Sequence, residues 1–96
     1  MKLYVIKDTI VGKYMNPFLM NNDAEATRAF KQAVNSGQNT SIVTNYKDMQ
    51  LFGLGEYNEN TGVITSNVYH IINGQDVKEE PKPFAVFDVN KENTEE

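Results

Sequence analysis

The stretch from Tyr46 to Thr65 constrains the fold more than any other part of the chain. It runs Tyr-Lys-Asp-Met-Gln-Leu-Phe-Gly-Leu-Gly-Glu-Tyr-Asn-Glu-Asn-Thr-Gly-Val-Ile-Thr. Gln50, Phe52 and Leu54 fall on one side at period two, the spacing of a strand. Asn58 to Gly62 is a loop of turn formers. Asparagine caps its own backbone there, and Gly62 can take a positive φ without a Cβ clash. Val63 and Ile64 restart a β-branched run. The segment therefore predicts a β-hairpin. A lone hairpin is marginal in water, so something must cover Phe52 and Leu54.

The cover is predicted from residues Asn22 to Gly37. Asn22 is an N-cap, and Glu25 three residues later completes a capping-box pattern. Asp23 and Glu25 suit the positive end of the helix dipole. Ala26, Ala29, Phe30, Ala33 and Val34 make one apolar stripe. Gly37 supplies the stop. Phe30 is the one large anchor, and Phe30 and Phe52 are expected to be buried against each other's elements. Arg28, Lys31 and Gln32 face outward.

Around these two elements the chain reads as follows. Leu3–Ile6 is a strand, and Thr9–Gly12 a turn. Lys13–Met20, broken by Asn16-Pro17, is an edge strand or extended loop, because proline has no N–H for a central ladder. Gln38–Asn45 reads as a loop. Val68–Ile72 continues the hairpin's second strand. Asn73-Gly74 is a two-residue turn signal, with a third short strand from Gln75. Residues Glu79 to Pro83 break regular structure. Phe84–Phe87 is an apolar patch, and Asp88–Glu96 a polar tail predicted to be disordered. The expected fold is α+β, of order β-β-α-β-β: one helix on a small antiparallel sheet, with a flexible acidic C-terminal tail. Residues 1–80 form the domain, and 81–96 a tail or exchange arm. One helix leaves apolar sheet uncovered, which predicts a homodimer.

A chain of 96 residues is one domain with one modest core. It has no cysteine, hence no disulfide framework and no thiolate metal site. No apolar run approaches the roughly 20 residues that span a bilayer. The start is too short and too soon charged for a signal peptide. These features lead to the expectation of a soluble intracellular protein. The net charge is −4, unevenly spread. Residues 1–50 hold Lys2, Lys7, Lys13, Arg28, Lys31 and Lys47 against Asp8, Asp23, Glu25 and Asp48, a net of +2. Residues 77–96 carry a net of −3. An acidic chain disfavours nucleic-acid binding, and the basic first half weakens that objection.

No catalytic set is visible, so no enzyme and no cofactor are expected. His70 is the only histidine and lies in a strand without an evident orienting partner. The carboxylates lack metal-ligand spacing. Asn58–Gly62 lacks the alternating acids of a calcium loop. Gly53 and Gly55 sit inside a strand, where they mark a bulge or a close approach rather than a phosphate loop. The aromatics carry more information. Tyr4, Tyr14, Phe18, Tyr46, Phe52, Tyr57 and Tyr69 lie on or near strands, interleaved early on with cations. Aromatic platforms beside cations bind single-stranded nucleic acid. The same rings also serve as ordinary β-formers over a core. The candidate DNA-binding residues are Lys2, Lys7, Lys13, Arg28 and Lys31 for phosphates, with Tyr4 and Tyr14 as stacking platforms.

The ordered set Lys7-Asp8, Pro17-Phe18, Ala26-x-Arg28-x-Phe30, Val34-Asn35, Tyr46-x-Asp48-x-x-Leu51-Phe52-x-Leu54-Gly55-Glu56-Tyr57 and Thr61-Gly62 resembles a known family. This is the small non-structural DNA-binding protein of gokushoviruses, microviruses with single-stranded DNA genomes that infect bacteria. The likeness covers about residues 1–72. A single proline precedes Phe18 where relatives tend to have two, and the tail after Pro81 has no counterpart. The resemblance implies a non-capsid protein in the host bacterial cytoplasm. It implies single-stranded DNA binding during genome replication or packaging. The alternative is a protein–protein adaptor docking on replication machinery or coat protein, without direct DNA contact.

Overall fold

The computed structural model describes residues 1–79 and builds them around an antiparallel sheet. Its strands are β1 (Lys2–Asp8), β2 (Lys13–Tyr14), β3 (Phe18–Met20), β4 (Met49–Tyr57) and β5 (Ile64–Asn73). They lie in the order β2-β1-β4-β5, with β3 also paired to β1. β2 takes one end of β1 (Lys7 opposite Tyr14) and β3 the other (Tyr4 opposite Phe18). Pro17 falls in the gap between them, where no ladder N–H is needed. The helices are α1 (Asp23–Ser36), α2 (Thr40–Thr44) and α3 (Gly74–Val77), and a 3-10 turn at Tyr46–Asp48 leads into β4. Among the described residues no helix is long and apolar enough to cross a membrane.

The fold is α+β, with an antiparallel sheet and a long helix upon it, but the order β-β-α-β-β needs correction. Three strands precede α1, and two short helices are added. Gln38–Asn45 is not a loop: Asn39 Oδ1 caps Ser41 N, and the resulting turn of helix buries Ile42. Asn73-Gly74 is not a hairpin turn, and no strand starts at Gln75. Gly74 is buried at the start of α3, and a Cβ there would collide with the Tyr46 carbonyl. The glycine serves close approach rather than reversal. Asn35 of α1 then fixes the end of α3. Its Nδ2 donates to the Val77 carbonyl at 2.9 Å, and its Oδ1 accepts from Glu79 N at 2.8 Å.

The α1 helix forms as its residues dictate. Asn22 Oδ1 accepts from Glu25 N at 2.9 Å, and Glu25 reaches back to Asn21 N at 3.2 Å. Ala26, Phe30 and Val34 are buried. They pack with Tyr4 and Ile6 of β1, Met49 and Leu51 of β4, Ile42 and Val77. The helix therefore covers the Leu51 side of the sheet. Phe52 and Leu54 stand on the other side, which reverses the expectation that α1 covers them. Strand β4 is apolar in both phases, so its period cannot choose a face. The glycines choose it. Gly53 is in phase with Leu51, and a Cβ on it would run into the ring of Tyr69. That ring needs the covered side, because its hydroxyl reaches the start of α1.

There Asp23 joins sheet to helix. Its Oδ1 accepts from Tyr4 Oη at 2.6 Å and from Tyr69 Oη at 2.8 Å. The Tyr4 hydrogen bond, helped by Tyr69 and the Lys2 charge against the cost of burial, holds the Asp23 carboxyl below its ordinary range. Burial, then the Asp23 contact, pushes both tyrosine hydroxyls up. A depressed carboxylate stabilises the fold above its unfolded value, about 4, and loses that contribution as pH falls through the lower folded value. Asp23→Asn should therefore lower the urea midpoint at neutral pH. Its deficit relative to wild type should shrink on acidification below about pH 4. An equal deficit at every pH would separate Asp23 from the acid response.

The patch Phe84–Phe87, the tail Asp88–Glu96 and the arm 81–96 lie outside the described residues.

Candidate nucleic-acid interface

The sheet face turned away from α1 has no element packed on it among the described residues. Its composition follows from strand register. Cross-strand partners share a face, so the pairs Lys7–Tyr14, Lys7–Gln50, Val5–Phe52 and Phe52–His70 place one set of side chains together. Tyr14 and Phe52 meet edge to face at 5.7 Å between ring centres. Phe52 and His70 do the same at 5.5 Å. The three rings thus cross the sheet in a row, from β2 over β4 to β5.

Lys7 projects from β1 into this row. Its Nζ lies 5.1 Å from the Tyr14 ring centre and 5.9 Å from that of Phe52. Aromatic faces carry negative quadrupole, which holds an ammonium while leaving its charge unneutralised. Among the described residues the one ion pair is Lys31–Glu79, at 3.0 Å on the other side of the molecule. Lys7 is thus a charged group held in place without a carboxylate. His70 is exposed, and its Nε2 lies 2.7 Å from Asn73 Oδ1. The tautomer with the proton on Nε2 donates to that amide oxygen. Tyr14 is 49% exposed, so part of its ring is available to a ligand.

Such a surface offers rings for flat, unpaired bases and a cation for the phosphate between them. This is how sheets that bind single strands are built. Nothing in it resembles an acid–base pair, and among the described residues no group of three or more His, Cys, Asp or Glu could hold a metal.

The residues expected to bind DNA divide three ways. Lys7 and Tyr14 lie together on the open face, and Lys13 sits next to Tyr14 on the exposed β2. Tyr4 does not belong with them. It is fully buried under α1 with its hydroxyl on Asp23, so it has no face for a base. Lys2, Arg28 and Lys31 lie on the helix side. Lys2 lines a groove with Glu56, Asn67 and Tyr69, whereas Arg28 and Lys31 stand on the outer surface of α1, where Lys31 is paired. These three do not form one surface with Lys7.

Two members of the site were not expected in it. The sequence places Phe52 in the core and His70 alone in a strand, whereas the strand register puts both on the open face. The signal for Phe52 was Gly53 and Gly55, which mark the crowded side of β4 and so leave Phe52 the other. The signal for His70 required the register of β4 with β5, which two bulges shift and no local pattern shows.

Comparison with curated proteins and with solved structures finds no match. A family model does match, that of the phage ORF5 protein, over residues 1–77. That span takes in every strand and helix described above, and the chain belongs to the phage ORF5 protein family.

Proposed function

We propose that this protein binds single-stranded DNA on the open face of its sheet. The observation that carries the reading is the row Tyr14–Phe52–His70 with the Lys7 ammonium over its first two rings. Base stacking on aromatics is sequence-tolerant, because every base has a π-face. The reading therefore calls for binding without strong sequence preference. Membership of a phage family supports a setting in the infected bacterium. The residue pattern resembling gokushovirus non-structural proteins supports a role in synthesis or packaging of a single-stranded genome. Each copy presents few cations, so a homodimer would strengthen binding by doubling the platform.

The test is binding of labelled oligo(dT) across a salt series. Affinity should fall as salt rises, with a slope of about −0.7 per neutralised phosphate. Lys7→Gln should flatten that slope by about one such unit, whereas Arg28→Gln should leave it unchanged. Absence of salt-dependent binding at micromolar protein would favour the adaptor reading. The exposed Leu19 and Val68 would then be the contact points for a protein partner.

A further inference from the structure

The hairpin joining β1 to β2 ends in two apolar residues that no element covers. Ile10 is 76% exposed and Val11 64%, the two most exposed large apolar side chains among the described residues. Hairpin tips ordinarily carry Asn, Asp, Gly or Ser. Here the polar work is done from within the turn. Asp8 Oδ1 accepts from Ile10 N at 3.0 Å and from Val11 N at 3.2 Å. Gly12 N donates to the Asp8 carbonyl at 2.8 Å, and Gly12 takes φ +78° to close the turn. The base of the hairpin is anchored as well. Thr9 N and Thr9 Oγ1 both donate to the Asp48 carbonyl, each at 2.9 Å. The tip is thus a short, tied-down projection with an apolar end.

Three lysines stand near the tip, beside the carboxylates of Asp8 and Asp48. Lys7 and Lys13 bracket the turn on the paired strands, and the exposed Lys47 precedes the residue that anchors Thr9. Tyr14, the first ring of the aromatic row, lies on the same hairpin. Ile10 and Val11 close the hairpin whose second strand carries Tyr14, so the tip lies beyond the end of that strand, beside the row rather than in line with it.

We infer that Ile10 and Val11 form a wedge that enters between stacked bases where a bound single strand runs into duplex. The inference rests on the open face being the DNA site. Apolar side chains projecting beside cations are used in this way by proteins that unstack a base step. The lysines hold the phosphates on either side, the aromatic row holds the released strand, and the wedge occupies the gap in the stack. The protein would therefore open the end of a duplex as well as coat what is already open.

Two DNAs separate this from the reading beneath it. The first is plain oligo(dT). The second is a DNA hairpin with a single-stranded dT tail and 2-aminopurine in the base pair next to the tail, where fluorescence rises when that base unstacks. Wild type should bind both and raise the 2-aminopurine signal. Ile10→Ser/Val11→Ser should keep the wild-type melting temperature and oligo(dT) affinity, since both side chains project into solvent, and should lose the fluorescence rise. Ile10→Asn alone, a residue suited to turns, should lose part of it. A rise equal to wild type in the double variant overturns the wedge, as does wild type that binds the tail without any rise. Wild type that binds neither DNA overturns the open-face site too. Capture of a protein or lipid surface by the tip, with no fluorescence rise, assigns the tip to that partner and overturns the wedge.

Discussion

Phe30→Ala will lower the unfolding free energy by about 3–5 kcal/mol, while Phe52→Ala will cost clearly less. The two phenylalanines lie on opposite sides of the sheet. Phe30 is 1% exposed, at the centre of a cluster formed by β1, β4 and all three helices. Removing its ring leaves a cavity that close-packed neighbours cannot fill. Small domains have total stabilities of about 5–15 kcal/mol, so the loss is a large share of the whole. Phe52 is half-buried, beside Tyr14 and His70 with the Lys7 ammonium 5.9 Å from its ring centre, and open to solvent beyond them. Urea unfolding of both variants measures the contrast. Equal losses would mean that the Phe52 face is as well covered as the Phe30 face.

The reverse order is expected for DNA. Tyr14→Ala and Phe52→Ala should each weaken oligo(dT) binding by about 1–3 kcal/mol, or about 5- to 150-fold, if each ring stacks on a base. Their rings are 5.7 Å apart, so the double variant should fall short of the summed losses. Phe30→Ala, assayed where it remains folded, should bind almost as wild type. A Tyr14/Phe52 double variant with undiminished affinity would remove the aromatic row from binding.

Much of this architecture could be read from the residues because the signals were local. Asn22 and Glu25 cap α1 as their spacing implies, and Ala26, Phe30 and Val34 are its buried stripe. Asn58 turns the β4–β5 hairpin by accepting from Asn60 N and Thr61 N, and Gly62 takes φ +76°. What could not be read depended on partners distant in the chain. Strand β4 has apolar residues in both phases, so the covered side was decided by Tyr69 lying over Gly53. Tyr4 looked like a surface aromatic among lysines. It is a core residue because Asp23, 19 positions later, accepts its hydroxyl. Gly74 had the signature of a turn and serves instead to admit the Tyr46 carbonyl. The make-up of the open face was half visible for the same reason. Lys7 and Tyr14 are close in sequence, whereas Phe52 and His70 join them only through the sheet.

The most direct test is a residue-resolved NMR titration of the protein with oligo(dT). The open-face site predicts that signals of Lys7, Tyr14, Phe52 and His70 shift together and saturably, while those of Phe30, Arg28 and Lys31 stay in place. Shifts confined to Arg28, Lys31 and the outer surface of α1, or no saturable shifts at all, would contradict it.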